Sequence, residues 1–331
     1  MPHPLPTPPN LDAVDRAVVF GSCGFLGREA TAQLLQAGAA VLGIDTRPWP
    51  GEAPRGYTHS AAGAAALPQA RAFLAGGHGA ALFLHLAGLA DAGVCQREPD
   101  LARALNVDLV HEALEILGGT RCAFVFPSTG IVYGDGLARP ATEDDPLLPA
   151  AEYARGKIEA EALVRRASEA TPGLLCGAVC RLANLYGPES GANTVLGRVL
   201  SQARAGGPLQ VWDESPVRDF LHVSEAAEGL LRLGVAAWTR GGCHTANLST
   251  GQGTSVGQLV DLCAELFHIP RLPQERPRAE GARPSLLVLD NSRLAALTGW
   301  RPRLALRQGL ESCLHSPDTN TAQASTAQTP A

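Results

Sequence analysis

The chain has 331 residues, of which 45% are hydrophobic and 18% charged, and its net charge is −5. These values indicate a soluble globular protein of one or two domains, without the basic patch that nucleic acid requires. No apolar run is long enough to span a bilayer, since the best candidate, 79–90, is short and contains His85. Eight cysteines without a CxxC pair or an export signal predict reduced thiols in a cytoplasmic protein, with no disulfide framework and no metal site.

Residues 1–14 carry five prolines and are predicted to form a flexible leader. The stretch that follows, VVFGSCGFLG at 18–27, continues a short apolar run into three glycines, Gly21, Gly24 and Gly27. A helix-competent segment, 28–37, comes next, and a second apolar run, 39–44, ends in Asp45. Strand, glycine turn, helix, strand and acid is the order of a dinucleotide-binding βαβ unit. A structural turn in another parallel α/β protein is the alternative, and the flanking strands and the acid disfavour it.

Strand and helix patterns alternate from 17 to 180, with strands at 80–87, 122–126 and 174–180 and helices at 100–117 and 149–170. Residues 45–75 are rich in alanine, glycine and proline and predict no clear element. The alternation predicts an α/β fold with a Rossmann-type, doubly wound, mostly parallel sheet. The predicted division is a dinucleotide-binding domain at 15–180 joined by 217–250, a smaller C-terminal α/β domain at 181–216 and 251–313, and a disordered tail at 314–331.

Tyr153 and Lys157 are four residues apart on the predicted helix at 149–170, so their side chains share one face. A phenol with a pKa of about 10 is a poor base at neutral pH, but a nearby ammonium and a bound nicotinamide cation both favour the phenolate. Thr129 follows the strand at 122–126 and could bind a substrate oxygen there. A YxxxK spacing alone occurs on many helices without function; the threonine makes a catalytic constellation the better interpretation.

Several motifs occur together in one order: GSCGFLG at 21–27, Asp45, HLAGLADAG at 85–93, STGIVYGD at 128–135, YARGK at 153–157, RLANLYGP at 181–188, RDFLHV at 218–223, NLSTGQGTS at 247–255 and LTGWRPRLALRQGL at 297–310. In these motifs the chain resembles the extended short-chain dehydrogenases/reductases of the NAD-dependent epimerase/dehydratase family. The resemblance covers nearly the whole predicted ordered chain and implies NAD as the cofactor and a nucleotide sugar as the substrate.

The resemblance also implies roles for individual residues. The pyrophosphate of NAD would be held by Gly21, Gly24, Phe25, Leu26 and Gly27. Asp45 would bond the adenosine ribose and repel a 2′-phosphate, although Arg47 nearby could soften that preference. The nicotinamide-side pocket and the catalytic group would comprise Leu86, Ala87, Asn106, Thr129, Tyr153 and Lys157. The substrate would be gripped by Thr129, Asn184, Arg218 and Arg283, arginine being suited to a diphosphate by its planar fork.

Structural interpretations stand beside three of these roles. Asn106 could simply satisfy buried backbone groups. Arg218 could form a salt bridge with its neighbour Asp219, and Arg283 could be an ordinary surface charge. His85 and His222 are interpreted as structural.

The sequence departs from the family pattern in places that affect ligand contacts. Phe20 stands where threonine is common before the first glycine. The region 58–66, THSAAGAAA, has no counterpart of the usual adenine-contacting motif, and the loop 211–217, VWDESPV, lacks the common Gly-Asp-Gly. These departures leave the adenine contacts and the nucleotide-base pocket open.

The residues after Thr129 decide between reaction types. The family's dehydratases carry an acid two places after the threonine, where this chain has Ile131, and no cysteine of the 3,5-epimerase type lies between Thr129 and Tyr153. Hydride chemistry alone remains. The leading hypothesis is an NAD-dependent nucleotide-sugar 4-epimerase that oxidises the sugar transiently, lets the keto-sugar rotate and returns the hydride. The alternatives are an NAD(P)-dependent ketoreductase or dehydrogenase of a nucleotide-linked keto-deoxysugar or similar alcohol, and a non-catalytic NAD-binding regulator, which the intact constellation disfavours.

The family often forms dimers through two helices that correspond to about 100–117 and 150–170 here. The resemblance therefore predicts a homodimer. A small-molecule substrate is expected, with no nucleic acid and no membrane partner.

Overall fold

The computed structural model describes residues 10–135, 137–191, 193–275 and 285–314. Residues 1–9 of the predicted leader and 315–331 of the predicted tail lie outside the described residues, as does Arg283. Residues 10–14 begin the fold: Asn10 caps a short 3₁₀ helix, Leu11–Ala13, and Val14 starts the first strand.

The strands and helices of the described part follow in chain order. The strands are β1 Val14–Phe20, β2 Ala40–Ile44, β3 Tyr57–Ser60, β4 Ala80–His85, β5 Cys122–Thr129, β6 Leu175–Leu182, β7 Asn184–Tyr186, β8 Val217–His222, β9 Cys243–Leu248, β10 Gly253–Ser255 and β11 Leu286–Leu287. The α-helices are α1 Phe25–Gln36, α2 Leu67–Ala75, α3 Ala92–Arg97, α4 Pro99–Arg103, α5 Leu109–Leu117, α6 Glu152–Ala170, α7 Val195–Arg204, α8 Val223–Arg240, α9 Val256–Phe267, α10 Ser292–Thr298 and α11 Leu306–Leu314.

Seven of the described strands form the main sheet, in the order β3-β2-β1-β4-β5-β6-β9, and every neighbouring pair is parallel. This confirms the Rossmann-type, doubly wound sheet. The chain proceeds outward from β1 in one direction and from β4 in the other, so the carboxyl ends of β1 and β4 border the crevice where such sheets bind ligands. The glycine stretch begins at the end of β1.

Helices cover both faces of the main sheet and bury the two larger hydrophobic cores. α1 and α8 pack on one face, and α2, α5 and α6 pack on the other. The central strands are buried on both sides, which is why they read in the sequence as continuous apolar runs. α6, which carries Tyr153 and Lys157, packs along β5 and β6.

A second, smaller sheet is built on β8, which pairs with β7, β10 and β11. α7, α9 and α11 bury a separate apolar cluster beside it, whose members include Tyr186, Leu200, Leu259 and Leu310. The segment 217–250, predicted to join the dinucleotide-binding domain, is divided between the two units. Its strand β8 lies in the small sheet, while α8 and β9 belong to the large one.

Three local differences from the sequence-based expectation have physical reasons. β3 and α2 lie in the alanine-rich stretch 45–75; α2 is held by buried Leu67, Ala70 and Leu74 on one face. β5 extends to Thr129 because its pairing with β6 continues as far as Leu182. The helix that carries Tyr153 and Lys157 begins at Glu152 and not at Pro149, since Ala151 is extended.

Candidate active site

The three glycines of the first turn are required by close packing. Gly21 has φ +96°, and a Cβ there would lie 2.7 Å from the Ala87 backbone nitrogen. A Cβ at Gly27 would overlap the Gly21 carbonyl, so the first turn of α1 sits directly on the loop. At Gly24 a Cβ would lie 3.2 Å from that same carbonyl oxygen. The glycines thus bring α1, β1 and the end of β4 together at the crevice.

The N-terminus of α1 opens into this crevice without a side-chain cap. Gly24 is the N-cap residue, and no side chain bonds to the helix start. The first amides, including those of Phe25 and Leu26, therefore keep donors that a helix cannot satisfy internally. Together with the helix dipole, such amides suit a pyrophosphate.

Asp45 directly follows β2 and is buried beside the glycine turn. Its carboxylate accepts hydrogen bonds from the Cys23 backbone N–H at 3.0 Å and from the Arg47 backbone N–H at 3.0 Å. The Arg47 guanidinium, itself half exposed, also donates to both oxygens. Burial raises the pKa of Asp45, but the bonds from Arg47 and Cys23 outweigh it and leave the pKa below its ordinary value. The carboxylate is therefore ionised and already compensated by a cation.

Residues of β3 line the far side of Asp45, in the region where the family motif was absent. The Tyr57 hydroxyl donates to Ser22 Oγ at 3.0 Å, and a ring nitrogen of His59 lies 3.0 Å from the Arg47 carbonyl oxygen. These contacts tie β3 to both the glycine turn and the Asp45 loop. The wall of the dinucleotide crevice here is thus formed by an element that the sequence did not predict.

Leu86, Ala87 and Asn106 stand where the nicotinamide side was predicted, next to Gly21. Leu86 donates its backbone N–H to the Phe20 carbonyl at 2.7 Å, which continues the β1–β4 pairing past the strand ends. Asn106 lies in a π-helical turn, Ala104–Asp108, and is buried. Its amide accepts from the Leu89 N–H at 2.8 Å and donates to the Leu89 carbonyl at 3.0 Å. The sequence assigns Asn106 either to the nicotinamide-side pocket or to hydrogen bonding with buried backbone groups. These contacts favour the second interpretation.

Tyr153 and Lys157 share one face of α6, directed at the end of β5. Lys157 Nζ lies 5.8 Å from the Tyr153 ring centroid and 4.6 Å from that of Phe126, and it donates to the Pro127 carbonyl at 2.8 Å. Thr129 is two residues beyond Pro127, and its Oγ1 accepts from the Ile131 N–H at 3.3 Å. Lys157 therefore connects α6 to β5, the strand that ends in Thr129.

Burial controls the ionisation of both groups on α6. It raises the pKa of Tyr153 to about 12, with a smaller contribution from Cys95. It lowers the pKa of Lys157 to about 8, opposed by Glu161 and Cys95. At pH 7 these pKa values leave Tyr153 as a phenol and Lys157 as an ammonium, and a cation bound beside the phenol would favour the phenolate. Lys157 is the single lysine of the chain, and an ammonium changes its pKa on burial more readily than a guanidinium does.

Two residues of this site were not identified from the sequence. Cys95, on α3, is fully buried, and burial raises the pKa of its thiol; only as a thiolate would it raise the pKa of Tyr153 and Lys157. Glu161 lies four residues after Lys157 and is ion-paired to Arg181. The i, i+4, i+8 spacing of Tyr153, Lys157 and Glu161 was a usable signal for the second, whereas nothing in the sequence indicated Cys95.

The predicted substrate residues Asn184 and Arg218 are carried by β7 and β8. Arg218 does not pair with Asp219, because successive strand residues point to opposite faces. It donates to the carbonyls of Val217 and Ser285 at 2.9 and 3.0 Å. The Asp219 carboxylate instead accepts from Thr250 and Gly251, while burial raises its pKa to about 6. Asn184 donates to the Asp219 carbonyl at 3.3 Å.

Arg218 borders a cavity of about 310 Å³ in the smaller unit. Trp212 lines it and is half exposed, with the Arg198 guanidinium 4.8 Å from its ring centroid. The N-terminus of α7, capped by Thr194, faces the same space. The cavity thus combines an aromatic surface with two arginines, which suits a flat base joined to an anionic group.

The surroundings of His85 and His222 agree with their interpretation as structural residues. His85 is enclosed by Phe20, Phe83, Phe124 and Phe126, and its ring nitrogens have no hydrogen-bond partner among the described residues. Burial lowers its pKa to about 4, so its ring is neutral at pH 7. The side chain of His222 accepts from the Ser224 N–H and caps α8.

The chain is similar to known proteins both in sequence and in fold. The family model described as "NAD dependent epimerase/dehydratase family" matches residues 17–238. A UDP-glucose 4-epimerase of Mycolicibacterium smegmatis is 29% identical over 310 residues, covering 89% of this chain and 96% of that protein. A dTDP-6-deoxy-L-talose 4-dehydrogenase (NAD(P)(+)) of Kitasatospora kifunensis is 28% identical, covering 89% and 93%. The structure of Thermus thermophilus UDP-glucose 4-epimerase in complex with NAD superposes with a TM-score of 0.77 at 25% identity, covering 90% and 97%.

Proposed function

Since the chain belongs to the NAD dependent epimerase/dehydratase family, we propose that it is an NAD-dependent nucleotide-sugar 4-epimerase that returns the hydride it removes. The observation that carries this proposal is the joining of α6 to the end of β5, where Lys157 bonds the Pro127 carbonyl beside Tyr153 and Thr129. No acid follows Thr129 at the position that eliminations use. Reversible oxidation of a hydroxyl is the chemistry that this set of groups supports.

The dinucleotide crevice fits NAD. Because Gly21 and Gly27 have no side chains, the start of α1 packs directly on the glycine turn. The first amides of α1 have no side-chain cap, so a diphosphate can approach them closely. Asp45 would hold the adenosine ribose. When bound, NAD supplies the hydride acceptor and donor; the residues of the chain supply the proton chemistry and the positioning.

Tyr153 is the proposed base. As a phenolate it would take the proton of the substrate hydroxyl, and as a phenol it would return that proton to the keto oxygen. The Lys157 ammonium, held by the Pro127 carbonyl, favours the phenolate and could also donate to the cofactor ribose. Thr129 would bind the same substrate oxygen. General acid–base catalysis of this kind contributes about 10² to 10⁴ in rate.

The proposed substrate is a sugar joined to a pyrimidine nucleoside diphosphate. The two relatives described above are named for UDP-glucose and a dTDP-linked deoxysugar. The cavity beside Trp212 offers a stacking surface for the base, and Arg218 and Arg198 offer donors for the diphosphate. Asn184 and Arg283 are proposed substrate residues on the family pattern.

A net dehydrogenase or reductase of a nucleotide-linked keto-deoxysugar is the second candidate. It is favoured by the Kitasatospora relative, which is a 4-dehydrogenase and covers as much of this chain as the epimerase does. The same groups would perform either reaction. The difference lies in whether the cofactor is retained until the hydride is returned.

The test is to incubate the protein with UDP-glucose, dTDP-glucose and their 4-epimers, with and without added NAD. The proposal predicts conversion between epimers, with no net change in absorbance at 340 nm. Consumption of one cofactor per sugar would replace the epimerase with the dehydrogenase. An absence of turnover together with tight NAD binding would favour a regulator.

We further propose a cytoplasmic homodimer. α5 and α6 border a groove of about 460 Å³ lined by Leu114, Leu163 and Ala167, and its apolar lining supports pairing of these helices with a second copy. The eight cysteines are free, which supports a reducing compartment. No helix in the described ranges is long and apolar enough to cross a membrane. A monomer mass by light scattering would exclude the dimer.

A further inference from the structure

A buried ion pair joins α6, the proposed catalytic helix, to β6. Glu161, on α6, and Arg181, on β6, are 2% and 3% exposed. The Arg181 guanidinium donates to both Glu161 oxygens, from Nε at 3.1 Å and from Nη2 at 2.7 Å. Ser128, the residue before Thr129, donates its hydroxyl to the same carboxylate. One carboxylate therefore binds the helix of Tyr153 and Lys157 to the strand that ends in Thr129.

The pair extends into a wider buried network. Arg181 Nη1 donates to the Tyr133 hydroxyl at 3.0 Å, and that hydroxyl donates to Asn247 Oδ1 at 2.7 Å. Ser128 and Arg181 are direct partners in the β5–β6 register. The network thus joins α6, β5, β6, β9 and the 3₁₀ turn that follows Thr129. It holds together the two elements that carry the proposed catalytic side chains, α6 with Tyr153 and Lys157 and β5 with Thr129.

Stability alone does not explain such a pair. Removing two charges from water costs about as much as their attraction returns, and apolar substitutes are often as stable. A buried, fully hydrogen-bonded ion pair instead specifies geometry. Because this pair connects α6 to β5 and β6, the geometry that it specifies is the position of α6 on the sheet.

Glu161 is also one helical turn from Lys157. In the described part of the chain, four titratable groups face Lys157: Tyr153 and Glu161 from α6, Cys95 from α3 and His85 from β4. At pH 7, burial keeps Tyr153 as a phenol, Cys95 as a thiol and the His85 ring neutral. Among these four, Glu161 is the negative charge, and it opposes the loss of the lysine proton that burial favours.

Resting on the function proposed above, we propose that Glu161, clamped by Arg181, is a positioning residue that holds the Tyr153–Lys157 helix on the Thr129 strand and keeps Lys157 cationic. Its role is indirect, since it contacts Ser128 and Arg181 and none of the three catalytic side chains is among its hydrogen-bond partners.

The single lysine permits a direct test. Protein labelled with [ε-¹³C]lysine gives one side-chain resonance, whose titration reports the ionisation of Lys157 without any substrate. In Glu161→Gln the midpoint should fall by about one pH unit, which is a tenfold loss of proton affinity. Glu159→Gln is the matched control: it removes the same charge from the same helix at an exposed ion pair with Arg103. It should leave the midpoint unchanged.

Glu161→Gln also leaves Arg181 as a buried, unpaired cation, so the double variant Glu161→Gln/Arg181→Met is measured in parallel. Glu161→Asp, which keeps the charge, should restore most of the midpoint. The same midpoint in wild type, Glu161→Gln and the double variant would overturn the proposal.

A kinetic measurement separates this inference from the proposed reaction. With an active nucleotide sugar, the alkaline limb of kcat in Glu161→Gln should move to lower pH by the same amount, with KM within about twofold of wild type. A lower kcat with an unmoved pH profile would reduce Glu161 to a structural residue. If no nucleotide sugar is converted, the proposed function fails while the lysine titration still decides the role of Glu161.

Discussion

The Arg47 guanidinium donates to both carboxylate oxygens of Asp45, from Nε at 3.2 Å and from Nη2 at 3.3 Å. An aspartate at this position normally disfavours the 2′-phosphate of NADP by charge repulsion. Here the repelling charge is already compensated by the arginine. If Asp45 binds the adenosine ribose as proposed, the preference between NAD and NADP is expected to depend on both side chains.

The cofactor preference should respond to substitution of either Asp45 or Arg47. Arg47→Ala should increase the preference for NADH over NADPH by about tenfold, because it uncovers the Asp45 charge. Asp45→Asn should change the preference in the opposite direction. Dissociation constants from cofactor fluorescence would measure both, with the exposed Arg71→Ala as the control. Equal preferences in all four proteins would show that neither residue contacts the ribose end.

Gly27 should tolerate no side chain. A Cβ there would overlap the Gly21 carbonyl, a backbone atom that cannot rotate away. Gly27→Ala should lower the free energy of unfolding by about 1–3 kcal/mol and weaken NAD binding, because the helix start moves away from the turn. Gly207→Ala, where the nearest atom to a Cβ is 4.0 Å away, is the matched control and should be close to neutral. Urea unfolding and cofactor titration measure the two effects; an unchanged Gly27→Ala protein contradicts the packing argument.

Tyr153→Phe should reduce kcat by about 10²-fold or more while leaving KM and the unfolding transition close to wild type. The ring and its packing against Lys157 are preserved, so the loss is confined to the proton-transferring hydroxyl. Turnover of the nucleotide sugars is the measurement, with NAD affinity as the internal control. Full activity in this variant would remove Tyr153 as the base.

His85 should make the fold acid-sensitive. Its pKa is lowered to about 4 by burial, whereas the unfolded chain titrates near 6.5. Between these values the unfolded state binds a proton that the folded state does not, so stability is lost as the pH falls from 6.5 towards 4. The loss amounts to about 3 kcal/mol at its limit. His85→Phe should show a smaller difference in unfolding free energy between pH 7 and pH 4.5 than wild type, while the exposed His111→Gln should not.

The sequence predicted the parts of the fold with a local signature. The glycine stretch, Asp45 and the buried strands of the main sheet are contiguous motifs, and the order β1-α1-β2 can be read directly from them. β3 and α2 were missed because residues 45–75 are mostly small, and α2 is held by packing that a propensity argument cannot evaluate.

The site was predictable to the extent that its residues lie on recognisable motifs. Tyr153 and Lys157 were located by helical spacing, and Thr129 by its place at the end of a strand. The buried network around Glu161 and Arg181 was not predictable, since these two residues are twenty positions apart and meet only because α6 packs against β6. The same holds for Arg218, whose neighbour Asp219 suggested an ion pair that strand geometry prevents.

The central claim is that the hydride removed from a sugar returns to that sugar. UDP-glucose carrying deuterium at carbon 4 tests it directly, by mass spectrometry and NMR of the product. The expected product is a 4-epimer that retains deuterium at carbon 4, with cofactor neither consumed nor released. Loss of the deuterium from the sugar, with one reduced cofactor released per sugar oxidised, would contradict it.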